Sequence, residues 1–269
     1  MRSPVADLRG SAHDSSVPGP APHPLLTCSA VRVVRGRRSV LRDVELALRA
    51  GELVQLAGAN GSGKTSLLRV LAGTARERAG RVDRCAPCAY VPEKVGLAPS
   101  LRPGEWLDAM RTVRREAPRD WAAEIADAGL DPAILGLPSR ALSKGMLQRV
   151  ALVEARGAGR ILLLDEPFAG LDGPGRDWLA SLLVGHGRGG GATLFTDHSG
   201  AAAGRAAPSA TLLLRDGRCV PGPAPAELVR IEAVDPSGTR CVRTVAPQES
   251  DAVLARMLSE GCNIIEVGR

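Results

Sequence analysis

The amino-acid sequence predicts an α/β fold built on a parallel sheet, followed by a small α+β unit. Two short apolar runs, Leu53–Ala57 and Ile161–Leu164, have the length of strands; a glycine-rich loop follows the first and two acids follow the second. Buried strands that end in such residues are typical of open parallel sheets, whose carboxyl ends form ligand sites. Residues 94–156 carry apolar side chains at helical spacing, which adds a helical region to the sheet.

The composition fits a globular domain and excludes several other classes. Of the 269 residues, 44% are hydrophobic and only 2% are aromatic, so we expect an aliphatic core. We find no apolar run of about 18 residues, the length of a membrane span, and Met1–Asp7 lacks the apolar segment of a secretory signal. The net charge of +6 comes from scattered arginines that are dense only at Arg35–Arg38, so no nucleic-acid partner is expected. We interpret the single Cys85–Cys88 pair as structural, because one CxxC is a weak metal signal.

The elements of the main domain follow from alternating and helical patterns. In the first part we predict strands Val31–Val34, Val40–Leu48 and Leu53–Ala57, a helix through Leu67–Leu71, and short strands within Arg81–Val91. In the second part we predict three helices, marked by the stripe Trp106, Leu107, Met110 and Val113, by Trp121–Ala128 and by Leu147–Val153, then strands Ile161–Leu164 and Gly191–Thr196 and a hairpin around Asp216-Gly217.

The two ends of the chain differ from this domain. Residues 1–24 are rich in Ser, Pro, Gly and Ala and are expected to be disordered. A proline-rich linker at Pro221 leads into a ββαβ pattern of Leu228–Val234, Arg240–Val245, Gln248–Glu260 and Cys262–Val267. The predicted division is therefore a tail (1–24), a main domain (25–220) that contains a helical subdomain (94–156), and a C-terminal extension (221–269).

A phosphate-binding loop lies between the strand Leu53–Ala57 and the helix that follows. Residues Gly58–Thr65 read G-A-N-G-S-G-K-T and match the GxxxxGK[ST] pattern. Backbone N–H groups of such a loop and of the helix N-terminus point at the phosphates, the lysine adds a charge, and the Thr65 hydroxyl binds Mg²⁺. The expected nucleotide contacts are Gly58, Asn60, Gly61, Ser62, Gly63, Lys64, Thr65 and Ser66. This motif in this setting predicts a P-loop NTPase core.

Two acids follow the second buried strand. Asp165 comes at the carboxyl end of Ile161–Leu164, where it is expected to hold Mg²⁺ directly or through water. Glu166 is expected to polarise the attacking water as a general base, so Glu166 and Lys64 are candidate catalytic residues.

Further motifs, in the right order over about residues 30–220, resemble those of the nucleotide-binding subunits of ABC transporters. These are Tyr90–Glu93 at the place of the Q-loop, Leu142–Gln148 (L-S-K-G-M-L-Q) as the signature, Phe168–Asp172 as the D-loop and Asp197-His198 as the H-loop. The resemblance implies a RecA-like core with antiparallel β and α-helical subdomains, and it implies ATP and Mg²⁺ as cofactors.

The resemblance also implies roles for individual residues. Ser143 and Gly145 of one subunit are expected to complete the ATP site of another, with Asp172 also near the nucleotide. His198 is the third candidate catalytic residue and would contact the γ-phosphate. Glu93, like Thr65 and Asp165, would reach Mg²⁺ or its water. The implied partners are a transmembrane permease, gripped near Glu93–Trp106, and a second copy or a related ATPase subunit as dimer. The implied location is the cytoplasmic face of the cell membrane.

Three features depart from the usual pattern of the family. Lys144 and Met146 replace a glycine and a glutamine of the signature, and this variant resembles ABC-2-type ATPases, which often power exporters. Glu93 stands where glutamine is usual. No aromatic residue lies between Val31 and Leu53 to stack on adenine, although Arg35 or Arg37 could lie over the base.

The sequence thus predicts an ATP-binding and ATP-hydrolysing subunit that powers an ABC transporter, with export as the favoured direction, through ATP-driven dimer closure. A soluble ABC ATPase of an assembly system, such as iron–sulfur cluster assembly, is the main alternative. A different P-loop enzyme, such as a small-molecule kinase, is a second one. The transported substrate and the role of the C-terminal extension are not readable.

Overall fold

The computed structural model describes residues 23–36, 38–197, 206–222, 229–245 and 247–268. In chain order the elements of the main domain are β1 (Pro24–Arg35), β2 (Arg38–Arg49), β3 (Leu53–Ala57), α1 (Lys64–Ala72), β4 (Ala79–Arg84), β5 (Cys88–Val91), α2 (Pro103–Arg114), α3 (Trp121–Asp127), α4 (Lys144–Ala158), β6 (Ile161–Leu164), α5 (Gly173–Arg188), β7 (Ala192–Thr196), β8 (Ala210–Arg215) and β9 (Arg218–Pro221). Almost all of the predicted tail lies outside the described residues, and β1 begins within it at Pro24.

The centre of this domain is a six-stranded sheet in the order β5-β6-β7-β3-β8-β9. Its first five strands are parallel, and only β9 pairs antiparallel, with β8. Every residue of β6 and β7 is buried, because α4 and α5 cover one face of the sheet, while α1 together with β1 and β2 covers the other. The predicted α/β fold with a parallel sheet is therefore confirmed.

A second sheet, in the order β2-β1-β4, is antiparallel and packs beside the first. Strands β1 and β2 pair along most of their 12 residues, and Arg35 lies opposite Arg38 at the turn. The inward side chains of this sheet share one hydrophobic core with α1, β3 and β6. This contact places the β1–β2 hairpin beside the loop that precedes α1.

The three helices predicted in this region are present, with non-helical segments between them. Helices α2, α3 and α4 are joined by residues 115–120 and 128–143, which contain only two short 3-10 turns at Pro132–Gly136 and Ser139–Ala141. Prolines explain these interruptions, because proline lacks the backbone N–H and fixes its own φ. Pro103 starts α2, and Pro132 and Pro138 each precede or begin a 3-10 turn.

The predicted apolar stripe of α2 is wrong in its last turn. Leu107 is fully buried against Trp121, Ile125 and α4, whereas Val113 is 77% exposed. Val113 is six residues from Leu107, which turns it about 120° away from the buried face at 3.6 residues per turn. It shares its side of the helix with Trp106, which is only partly buried.

The C-terminal residues form a separate sheet with one helix. The elements are β10 (Val229–Val234), β11 (Arg240–Val245), α6 (Pro247–Ser259) and β12 (Asn263–Gly268), and the antiparallel order is β11-β10-β12. Val229, Ile231 and Ala233 pack with Met257 in a small core of their own. The predicted ββαβ order is present, while the domain boundary at residue 221 stays a prediction. No helix in the described parts of the chain is long and apolar enough to cross a bilayer.

Candidate functional site

Four neighbouring parallel strands bring most of the predicted site residues to one edge of the central sheet. The phosphate loop follows β3, Glu93 follows β5 by two residues, Asp165 follows β6, and Asp197 follows β7. Because the strands are parallel, their carboxyl ends meet at this edge. His198 lies outside the described residues, so its predicted contact with the γ-phosphate stays a prediction.

The phosphate loop depends on glycines where the backbone is tightly packed. Gly58 and Gly63 have φ of 149° and 111°, which side chains rarely tolerate. A Cβ on Gly58 would lie 2.6 Å from the Leu214 carbonyl oxygen, and one on Gly63 would lie 2.9 Å from Val40 Cγ1. Helix α1 starts directly after Gly63, so its first N–H groups, which have no carbonyl partner within the helix, point back into the loop as an anion site requires.

The Lys64 ammonium lies back over this loop. Its Nζ donates to the carbonyl oxygens of Gly58, at 2.7 Å, and of Ala59, at 3.2 Å. The side-chain oxygen of Ser62 is buried in the same loop without a hydrogen-bond partner. A cation and an unsatisfied hydroxyl group thus lie beside the helix N-terminus, where phosphate oxygens would satisfy both.

Asp165 connects the loop to the neighbouring strands. It is 5% exposed, and its Oδ2 accepts a 2.7 Å hydrogen bond from the Thr65 hydroxyl. Its Oδ1 accepts a 3.0 Å bond from the hydroxyl of Thr196, the last residue of β7. No local sequence signal singles out Thr196, because its role depends on β7 lying between β6 and β3.

Glu166 is held in a strained backbone conformation. Its φ is 50°, which costs on the order of 1–3 kcal/mol for a residue that is not glycine. Its N–H donates to Thr196 Oγ1 at 2.8 Å, and its side chain lines the cleft although the residue is only 7% exposed. The same threonine therefore fixes both acids. Next to them, burial raises the pKa of Tyr90, with a further contribution from the Asp165 charge.

These residues line an open cleft of about 1210 Å³. The phosphate loop and α1 form its floor, and Asp165, Glu166 and Glu93 lie on one side. Four arginines (Arg35, Arg38, Arg42 and Arg215) and one further acid, Asp216, also line the cleft. Among the described residues that line the cleft, none has an aromatic side chain that could stack on adenine.

The donor set fits Mg²⁺, which binds hard oxygen ligands and usually takes one or two carboxylates together with phosphates. Thr65 and Asp165 already hold their oxygens together, and Glu93 lines the same cleft. No group of three or more His, Cys, Asp or Glu side chains suitable for a metal exists in the described ranges. Cys85 and Cys88 are free thiols, the first exposed and the second partly buried.

The predicted signature forms the start of α4. Ser143 is the N-cap, and its Oγ accepts a 3.2 Å bond from the N–H of Met146. Ser143 and Lys144 are exposed, and no acid lies in the first turn. Gly145 packs so closely on the D-loop that a Cβ would lie 2.6 Å from the Gly170 carbonyl oxygen. This helix end therefore presents a positive dipole to solvent.

Asp172 has a structural role in this chain. Its Oδ1 caps α5 by accepting a 2.9 Å bond from the Gly175 N–H, and it also forms an ion pair with Arg149. The buried Arg149 side chain donates in turn to the carbonyls of Ala128 and Gly129. Sequence reasoning missed Arg149, which joins α4 to the end of α3 and the start of α5.

Comparison with known proteins gives relatives for the main domain. The family model described as ABC transporter matches residues 41–169. The cytochrome c biogenesis ATP-binding export protein CcmA of Hyphomonas neptunium is 38% identical over 190 residues, which are 66% of this chain and 92% of that protein. The zinc import ATP-binding protein ZnuC of Alkalilimnicola ehrlichii is 37% identical over 162 residues, which are 59% of this chain and 62% of that protein.

Solved structures share the fold. An ATP-binding subunit of an ABC transporter superposes with a TM-score of 0.67 at 25% identity, covering 72% of this chain and 88% of the other. The ATP-binding cassette MJ0796, in a dimeric post-hydrolysis state bound to ADP and Pi, superposes with a TM-score of 0.61 at 20% identity, covering 72% and 96%. The second similarity shows a common fold only.

Proposed function

Because this chain belongs to the ATP-binding subunits of ABC transporters and is an ATPase, we propose that it powers export by ATP-driven closure of a dimer. In this proposal two copies, or one copy and a related ATPase subunit, close head to tail around two ATP molecules. They act on a transmembrane permease at the cytoplasmic face of the cell membrane. Closure moves the permease, and hydrolysis resets it.

The observation that carries the proposal is the position of Asp165. Its two oxygens accept bonds from Thr65, on the phosphate-loop helix, and from Thr196, which also holds the Glu166 backbone. The phosphate loop, the proposed metal site and the proposed base are therefore linked by the hydrogen bonds of Asp165 and Thr196. Catalysis of phosphoryl transfer depends mainly on such positioning and on charge stabilisation.

The roles of the residues follow from this geometry. Loop N–H groups from Gly58 to Ser66 and the Lys64 ammonium bind the phosphates; Thr65 and Asp165, with Glu93, hold Mg²⁺. When bound, the metal neutralises phosphate charge. Glu166 lies 7% exposed at the cleft, where it orients and deprotonates the attacking water. Ser143 and Gly145 of the second subunit complete the site, and we assign a γ-phosphate contact to His198 and a position near the nucleotide to Asp172.

Export is the direction that the relatives favour. Five relatives that are 35–40% identical carry the name cytochrome c biogenesis ATP-binding export protein, whereas the zinc import relatives are 37% identical over shorter stretches. The L-S-K-G-M signature agrees with that direction. These names also favour transport over an assembly ATPase.

Two variants test the assigned roles. Lys64→Ala should abolish phosphate release from ATP, and Glu166→Gln should bind ATP and Mg²⁺ without turnover and accumulate as a dimer in light scattering. Lys94→Ala is the matched control, since Lys94 is an exposed lysine outside the cleft lining. Wild-type turnover by Lys64→Ala, or a Glu166→Gln protein that stays monomeric with ATP at micromolar concentration, would contradict the proposal.

A test of the transport direction requires the membrane partner. We expect the trapped Glu166→Gln dimer to co-purify with a hydrophobic permease from membranes of the source cells. In vesicles that carry the wild-type complex with the ATPase outside, ATP should drive substrate into the lumen. ATP-driven release from the lumen would show import.

A further inference from the structure

Two of the residues that depart from the family pattern contact each other. Lys144 Nζ lies 3.4 Å from Glu93 Oε1, and the two side chains are 50% and 44% exposed. They are 51 positions apart in the sequence. Glu93 lines the nucleotide cleft, whereas Lys144 belongs to the first turn of α4, so the pair joins the cleft to the signature.

The location of Lys144 gives this contact its significance. A cation in the first turn of a helix lies at the positive end of the helix dipole, which is unfavourable. The first turn of α4 contains no acid, and Glu93 supplies the opposing charge from another loop. The aliphatic stem of Lys144 passes Gly170, with Cδ 3.8 Å from where a Cβ of that glycine would lie, so the side chain runs between D-loop and cleft.

We propose that Lys144 is a positioning residue that restrains the Glu93 carboxylate until metal and nucleotide enter the cleft. The inference rests on the proposed function, in which Glu93 helps to hold Mg²⁺. One carboxylate then faces two competing cations, the Lys144 ammonium and the metal. As Glu93 turns to the metal, Lys144 is released, and the exposed start of α4 becomes free to meet the second subunit. Since the coupling is reciprocal, release of Lys144 in turn strengthens metal binding.

Mn²⁺ binding in the presence of ADP tests the restraint without turnover. Free Mn²⁺ is measured by electron paramagnetic resonance. Because ADP lacks the γ-phosphate around which the proposed dimer closes, the measurement reports on the cleft of a single subunit. Lys144→Met should tighten Mn²⁺ binding by about two- to fivefold, the range expected for a partly exposed ion pair. Lys144→Arg keeps the charge and should behave as wild type. Lys94→Met removes a lysine next to Glu93 and should change the affinity much less.

The pair with Glu93 is tested by a double-mutant cycle. Glu93→Gln should weaken Mn²⁺ binding, and Lys144→Met should have no further effect in that background. An unchanged affinity in Lys144→Met, an equal change in Lys94→Met, or an undiminished effect in the Glu93→Gln background would overturn the inference alone. A wild-type protein that binds neither ADP nor ATP would overturn the proposed function, and the inference with it.

Discussion

At the residue scale, the cleft offers different side chains to the phosphates and to the base of a nucleotide. Glycine N–H groups, Lys64 and Asp165 surround the place of the phosphates with fixed polar atoms. Toward the β1–β2 hairpin the described lining changes to Arg35, Arg38, Ser39 and Val40. A guanidinium group stacks on any purine, an aliphatic side chain offers no hydrogen bond to a base edge, and a serine hydroxyl both donates and accepts, so it selects no particular base. We therefore expect this chain to bind nucleotide mainly through the triphosphate.

The resulting prediction is weak discrimination between ATP and GTP. Base–aromatic stacking is worth roughly 1–3 kcal/mol where a ring is present, and no described lining residue supplies one here. The KM values for ATP and GTP should differ by less than about tenfold, which corresponds to about 1.4 kcal/mol. Side-by-side phosphate-release assays measure the ratio. A preference for ATP of a hundredfold or more would mean that another residue reads the adenine.

At the element scale, arginines bind the short helices to α4. Arg119 donates from Nε to Glu124 on α3 at 2.8 Å and from a terminal nitrogen to the Val153 carbonyl on α4 at 2.9 Å. Its guanidinium also lies 4.3 Å from the centre of the Trp121 ring. Burial opposes ionisation of Glu124, but Arg119 and Arg156 outweigh it and hold the pKa of that carboxyl below its usual range.

We predict that Arg119→Met destabilises the helical region by about 1–3 kcal/mol, because it leaves polar groups unpaired. Urea unfolding followed by tryptophan fluorescence measures this change. The contribution of Glu124 to the free energy of unfolding is present above its unfolded pKa and is lost as the pH falls through its lower folded pKa. The difference in this free energy between Arg119→Met and wild type should therefore shrink in acid. Arg140→Met is the control, since the Arg140 side chain is exposed and, among the described residues, its one hydrogen bond is a 3.5 Å contact with the Pro99 carbonyl. Equal effects of the two substitutions would contradict the role of Arg119.

Local patterns predicted those parts of the molecule that depend on neighbours in sequence. The phosphate loop after β3 and the acids after β6 each follow from an apolar strand signal within a few residues. Thr196 and the Glu93–Lys144 pair escaped prediction, because their contacts depend on strand order and on residues 31 and 51 positions apart. The sequence pattern wrongly places Val113 on the buried face of α2. The four apolar residues of the stripe cover a wider arc of the helix surface than the one face that packs.

At the scale of the whole molecule, the start of α4 does not line the cleft of its own chain, although the Lys144 side chain reaches Glu93 at the cleft. The phosphate loop lies at the sheet edge, while Ser143 is exposed at the start of α4 and is not among the residues that line the cleft. The proposed function therefore assigns the signature half of each site to a second subunit, and this is its central claim. In a two-fold dimer each surface is used twice, so each of the two sites takes one half from each copy.

Mixing two inactive variants tests this claim most directly. Lys64→Ala loses the phosphate loop but keeps the signature, and Ser143→Arg loses the signature but keeps the loop. A mixed dimer contains one intact composite site, so an equal mixture should recover up to about a quarter of wild-type ATP hydrolysis if subunits pair at random. Each variant alone should stay inactive at the same total concentration. A mixture as inactive as its parents would contradict the shared site.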